Sequence, residues 1–153
     1  MRSTGELACW GGIYNRISCI QGQPCPPSYA NLAPPPGTFR QATCEVAHCC
    51  AVRTDGALSC WGSDDWPLAK NPPAGAYRQV SLLTQGGSYA VRNDGNLVRW
   101  GGGGGAFGSL RPGTFRQVSA GRFNYCAIAT DGTLACGGFE EWAGITPPAG
   151  TFW

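Results

Sequence analysis

Seven residues, Cys44-Glu45-Val46-Ala47-His48-Cys49-Cys50, gather three thiols and the only histidine of the chain. Zinc takes thiolate and imidazole ligands, usually four in a tetrahedral structural site. The segment lacks the short two-residue Cys spacing of such sites, and pairing of Cys44 with Cys49 competes for the same thiols. His48 also has no matched nucleophile motif, so a Cys–His hydrolase is not supported. A second constellation is acidic and aromatic. Asp64-Asp65-Trp66 and Glu140-Glu141-Trp142 are offset by 76 residues, with Phe107 in the stretch between them. Paired carboxylates serve glycoside hydrolysis when held at a defined separation across a bond. Repetition at equivalent positions suits a surface pattern better, in which exposed aromatics anchor a partner and the acids select for positive charge. The competing structural reading packs each tryptophan between repeats and leaves the acids in water. Arg40, Arg78 and Arg116 recur at one repeat position, either as a partial basic ring suited to an anion or as solvated strand residues that limit aggregation. Gly103-x-Gly105-x-x-Gly108 matches a dinucleotide fingerprint in letters only, because Ser-Leu-Arg-Pro follows it where a helix is required. No catalytic residue, metal or cofactor is expected.

The elements that position these residues are hairpins. In CAIATDGTLAC (126–136) and CAVRTDGALSC (50–60), short alternating apolar runs flank an Asp-Gly turn, a strong hairpin signal. Counting inward from Cys126 and Cys136 leaves Thr130-Asp131-Gly132 as a three-residue loop, with Gly132 free to take a positive φ. The cysteines then face each other across two strands, about 4.5 Å apart at Cα in a non-hydrogen-bonded pair and at the short end of disulfide reach. The third copy, YAVRNDGNLVR (89–99), replaces both cysteines together, with Tyr89 and Arg99. Loss as a pair favours disulfides Cys50–Cys60 and Cys126–Cys136 over buried free thiols.

The hairpins belong to a longer repeat. Gly37, Gly75, Gly113 and Gly150 stand 38, 38 and 37 residues apart, each two residues before an aromatic and one or two residues after a proline. After each of the first three come Arg-Gln, a β run, the hairpin, and usually Trp-Gly (Trp61-Gly62, Trp100-Gly101), with Gly137-Gly138 departing. A period of this length signals a propeller, solenoid or array. With 24 Gly, 12 Pro and no amphipathic helical pattern, the reading is all-β: a β-propeller of roughly four-stranded blades of about 38 residues. The chain forms a single repeat domain: a partial blade at 1–30 carrying a Cys-containing insertion, full repeats at about 31–70, 71–108 and 109–146, and the start of another at 147–153.

The pattern P-P-x-G-T-F-x-Q-V-S-A-G followed by C-A-x-x-x-D-G-x-L-x-C-W-G resembles the repeat of the regulator of chromosome condensation superfamily, in its bacterial, β-lactamase-inhibitor protein II branch. The resemblance implies a β-propeller acting as a rigid protein-binding platform. No exchange motif of the eukaryotic branch is matched.

Nine cysteines is an odd number. With Cys19–Cys25 and Cys44–Cys49 paired by proximity, Cys9 is left over, which suggests an intermolecular bond or a missing partner. Both ends read as cut from a longer array. A closed four-bladed ring and two chains sharing one ring stay open, and the incomplete terminal blades are candidates for self-association. Paired cysteines point to an extracellular or cell-surface protein. A net charge of +2 without a dense basic run argues against nucleic acid, and no apolar run reaches membrane-spanning length. The expected function is non-enzymatic recognition of a protein through loops on one face, with a carbohydrate-binding propeller as the alternative.

Overall fold

The computed structural model describes residues 5–6, 34–45, 48–62, 70–84, 87–102, 110–138 and 146–152. They form nine strands: β1 Phe39–Glu45, β2 His48–Arg53, β3 Leu58–Gly62, β4 Tyr77–Leu82, β5 Gly87–Arg92, β6 Leu97–Gly101, β7 Phe115–Ala120, β8 Asn124–Ala129 and β9 Leu134–Gly138. Consecutive triplets pair antiparallel into three sheets, β1-β2-β3, β4-β5-β6 and β7-β8-β9. Each sheet is a blade, numbered 1 to 3 here. Among the described residues every blade has three strands, and any fourth strand lies outside them.

The Asp-Gly turns close as three-residue loops. Ala129 N–H donates to Thr133 O (2.8 Å), Gly132 N–H returns to Ala129 O (2.9 Å), and Gly132 takes φ +88°. The carboxylates of Asp55, Asp94 and Asp131 each accept the backbone N–H two residues on, at 2.9 Å. The register beyond the turn is Ile128↔Leu134, Ala127↔Ala135 and Cys126↔Cys136. Disulfides join Cys126–Cys136, Cys50–Cys60 and Cys44–Cys49, each with Cα atoms 4.1 Å apart. Cys9, Cys19 and Cys25 lie outside the described residues.

The core sits between blades. Cys50, Val52, Tyr77, Val80, Leu82, Ala90 and Trp100 fill the space between blades 1 and 2. Tyr89, Val91, Leu97, Phe115, Val118, Tyr125 and Ala127 fill that between blades 2 and 3. There Tyr89 and Tyr125 meet with ring centroids 4.6 Å apart. The first strands lie beside one another, β1 against β4 and β4 against β7.

Polar stitches run along this seam. The Gln41 amide donates to Val80 O (2.7 Å) and accepts from Val80 N–H (2.8 Å). Gln79 does the same with Val118 O (2.7 Å) and N–H (2.6 Å). A further clamp occurs four times, at 2.8–2.9 Å: the N–H of Phe39, Tyr77, Phe115 and Phe152 donates to the carbonyl of turn glycines Gly5, Gly56, Gly95 and Gly132.

These stitches have measurable weight. Gln79→Ala strands a buried peptide group at Val118 and lowers unfolding free energy in urea by about 2 kcal/mol. Gln117→Ala, at the equivalent but exposed position of blade 3, stays within about 0.5 kcal/mol of the parent.

Candidate binding face

Antiparallel order gives each blade two ends. The Asp-Gly hairpins and the starts of β1, β4 and β7 lie at one. The first-to-second-strand turns and the ends of β3, β6 and β9 lie at the other. The sequence-derived binding candidates follow those last strand ends in the sequence. Asp64, Asp65, Trp66, Phe107, Glu140, Glu141 and Trp142 themselves lie outside the described residues. The glycine-rich 103–108 stretch lies there too, apart from its approach at Gly101–Gly102.

The stems that launch these segments are described, and they differ. Gly62 and Gly101 adopt φ of +135° and +72°, whereas Gly138 is not in the positive-φ region. A Cβ on Gly138 would come within 2.5 Å of Phe123 O and 2.8 Å of Asn124 Cα. Blade 3 therefore seats its turn Gly121-Arg122-Phe123 directly on the last strand. Equal spacing in sequence thus does not make Gly62 and Gly138 equivalent in backbone conformation. On the same turn the Arg122 guanidinium lies 4.9 Å from the Phe123 ring centre, with Arg122 exposed.

The departure at Gly137 has a steric cause. Cross-strand partners at this level are Cys49↔Trp61, Ser88↔Trp100 and Tyr125↔Gly137. A Cβ on Gly137 would stand 2.9 Å from the Tyr125 ring and 3.0 Å from its hydroxyl. The large residue has changed strands. The Tyr125 hydroxyl then accepts from Arg111 N–H (2.9 Å), and Arg111 Nε donates to Cys136 O (3.0 Å).

His48 lies opposite Glu45 and Gly62 at the loop end of blade 1. It is 2% exposed, and its Nε2 has no hydrogen-bond partner. Burial pushes its pKa below the usual imidazole range. The neighbouring Cys44, Cys49 and Cys50 are all disulfide-bonded, so the thiolates that a zinc site needs are not available there. Burial raises the Tyr89 hydroxyl above the usual phenol range, and Arg99 across the strand pair draws it partly back.

The arginine triplet is neither a free anion-binding ring nor simply solvated. Arg40 donates to Tyr77 O and Arg116 to Phe152 O, both on the following repeat, while Arg78 donates to Asn93 O in its own blade. The signal that sequence reasoning missed is the i, i+3 spacing of aromatic and valine around Arg78-Gln79 and Arg116-Gln117, which breaks strand alternation. Among the described residues no helix is long and apolar enough to cross a membrane.

No family model matches the chain, and no curated protein matches it. Solved structures do share its fold. The ectodomain of the receptor kinase CR4 from Physcomitrella patens aligns with TM-score 0.57 at 22% identity over 69% of this chain and 31% of that one. The CRINKLY WD40 ectodomain of the receptor kinase ACR4 from Arabidopsis thaliana aligns with TM-score 0.57 at 19% identity over 67% and 37%. Prp20p from Saccharomyces cerevisiae, described with its binding to Gsp1p and histones, aligns with TM-score 0.55 at 17% identity over 71% and 35%. The chain spans about a third of the length of each, and its three blades have a β-propeller fold.

Two outcomes follow from this geometry. Gly137→Trp overpacks against Tyr125 and destabilises by about 2–3 kcal/mol in urea unfolding. Adding Tyr125→Ser, which recreates the Ser88–Trp100 pairing, recovers at least about 1 kcal/mol in a double-mutant cycle. His48 binds a proton more readily unfolded than folded. Stability therefore falls as pH drops below about 6.5 and keeps falling until the lower folded pKa is passed. Thermal unfolding between pH 7.5 and 5 shows this slope, and His48→Leu flattens it.

Proposed function

We propose that the chain is a non-enzymatic protein-interaction module of an extracellular propeller, of bacterial type by its repeat motif. It meets its partner through the face that carries the first-to-second-strand turns and the segments after β3, β6 and β9. The observation that supports this reading is the convergence of three consecutive blades on one face. The sequence after each last strand departs from the repeat, and two of these stretches carry acidic pairs beside tryptophan. Blades locked by disulfides and glutamine stitches hold such segments at low ordering cost, so binding energy is not spent on arranging the scaffold. The acids favour a partner with basic residues at its contact, and the tryptophans supply apolar anchors. Receptor ectodomains with this fold and three cross-strand disulfides support a location outside the cell. Protein binding by Prp20p shows that the fold can serve protein recognition.

The test is an array of extracellular proteins and a glycan array probed with the chain and with the Trp66→Ala/Trp142→Ala variant. The expected result is binding to protein targets that weakens at least about tenfold in the variant, with circular dichroism unchanged. Binding confined to glycans would replace the reading with a lectin-like one. Protein binding indifferent to both substitutions would move the site off these segments.

A further inference from the structure

Blade 1 places a titratable side chain inside the seam it shares with blade 2. Strand β2 alternates there: Cys50 and Val52 pack into the seam, whereas Cys49 and Ala51 pack on the opposite side with Phe39 and Trp61. His48 stands two residues before Cys50 with no shift of register, so its imidazole faces blade 2. From the other side Leu82, Ala90 and Trp100 face blade 1. Ser88 stands two residues before Ala90 and opposite both Leu82 and Trp100, so it faces blade 1 too. His48 and Ser88 therefore occupy the loop-face end of one seam. They are 2% and 0% exposed, and His48 Nε2 and Ser88 Oγ both lack a hydrogen-bond partner. The equivalent positions of blades 2 and 3, opposite Gly101 and Gly138, hold Gly87 and Asn124, neither of which titrates.

A neutral imidazole fits this site, but an imidazolium would be an unpaired charge in an apolar seam. Among the described residues the one charged group on the same face at that end is Glu45, directly across the β1–β2 pair and partly buried. Strand β3 offers only Gly62 there. Arg40, Arg53, Arg78, Arg92 and the Tyr77 hydroxyl belong to the hairpin end, and Arg99 pairs with Tyr89 on the side facing blade 3. We propose that His48 is an acid-operated latch on the blade 1–blade 2 seam: proton uptake draws its imidazolium out of the seam toward Glu45 and opens the loop-face end, while the hairpin end stays closed. The opening is confined because Gln41 still holds both peptide groups of Val80 and Gly56 O still holds Tyr77 N–H. Disulfides Cys44–Cys49 and Cys50–Cys60 also keep β2 bonded to both neighbours. Burial disfavours the charged imidazole, so the latch is closed at neutral pH and opens in acid. If this end of the blades is the partner-binding face, acid loosens the binding surface as well; the latch itself rests only on the seam.

The experiment is an NMR titration of the isotope-labelled chain from about pH 7.5 to about 4.5, with a soluble paramagnetic probe reporting solvent exposure. The chain has one histidine, so its Cε1–H signal follows His48 alone. The expected result is that Leu82 methyl and Trp100 indole signals lose protection from the probe with the His48 midpoint, while Val52 and Tyr77 keep theirs. His48→Gln, which cannot ionise, abolishes that loss. Glu45→Gln removes the carboxylate that receives the imidazolium and lowers the proton affinity of His48 about threefold. The proposal is overturned if His48 does not titrate, or if it titrates with Leu82 and Trp100 still protected. It is equally overturned if Val52 and Tyr77 lose protection in step with them, which is unfolding of the whole chain rather than opening of one end. No partner is present in this titration, so its failure is distinguishable from failure of the loop-face reading.

Discussion

In each blade the first strand shifts register between its aromatic residue and the glutamine two positions on: Phe39/Gln41, Tyr77/Gln79 and Phe115/Gln117. A regular pleat would send residues three apart to opposite faces. The bulge removes that alternation for one step. Tyr77 and Val80 thus both turn back onto blade 1, and Phe115 and Val118 both turn back onto blade 2. The arginine and glutamine between them are freed together, and in Arg40-Gln41 both reach forward to the next blade. One inserted residue per repeat therefore gives blades 2 and 3 an apolar back, and blades 1 and 2 a hydrogen-bonding front. Stacking such blades buries the first while hydrogen-bonding the second. The edges of β4 and β7, which would otherwise leave peptide groups buried and unpaired, are satisfied by the glutamine of the preceding blade.

Within that frame the blades exchange chemistry while holding the backbone constant. The position facing the next blade is a disulfide in blades 1 and 3 and the Tyr89–Arg99 pair in blade 2. Tyr89 then meets Tyr125, the bulky substitute for Cys49 and Ser88, and Tyr125 in turn requires glycine at 137. These changes form one linked set running across the blade 2–blade 3 interface. Interiors packed at crystal-like density tolerate a large residue only where an opposing one shrinks. In blade 1 the adjacent Cys49 and Cys50 bond in opposite directions, to Cys44 on β1 and Cys60 on β3. The middle strand is thereby tied on both sides.

Hairpin register and turn geometry were legible in the sequence because they are local. Asp-Gly specifies the turn, and cysteines ten apart mark directly opposed positions. The repeat period was legible because glycine and aromatic recur in step. The bulge is not legible in the same way, because Arg40, Arg78 and Arg116 have the spacing of surface positions on an ordinary strand. Its trace lies in Tyr77-Arg78-Gln79-Val80 and Phe115-Arg116-Gln117-Val118, where apolar residues stand three apart and a strand would place them two apart. The change from Trp61 and Trp100 to Gly137 was visible as a departure. Its cause depends on which residue sits across the pair, and that follows only once the register is known. The acidic-tryptophan segments have sequences outside the repeat, so periodicity says where they start and not what shape they take.

The two ends of the blades differ in how much of their hydrogen-bonding capacity is already committed. At the hairpin end, the turn-glycine carbonyl holds the next repeat and the aspartate caps its own turn. Arg53 and Arg92 donate to Pro36 O and Ala74 O at 3.1 Å while lying over the rings of Phe39 and Tyr77. A substitution there disturbs a turn and an inter-blade contact together. At the opposite end the strands close on Gly62, Gly101 and Gly138, and the chain leaves each by a different backbone route. No inter-blade stitch among the described residues runs through those glycines. Sequence can therefore diverge at that end without loosening the stack, which is the physical condition for a scaffold whose recognition surface varies independently of its stability.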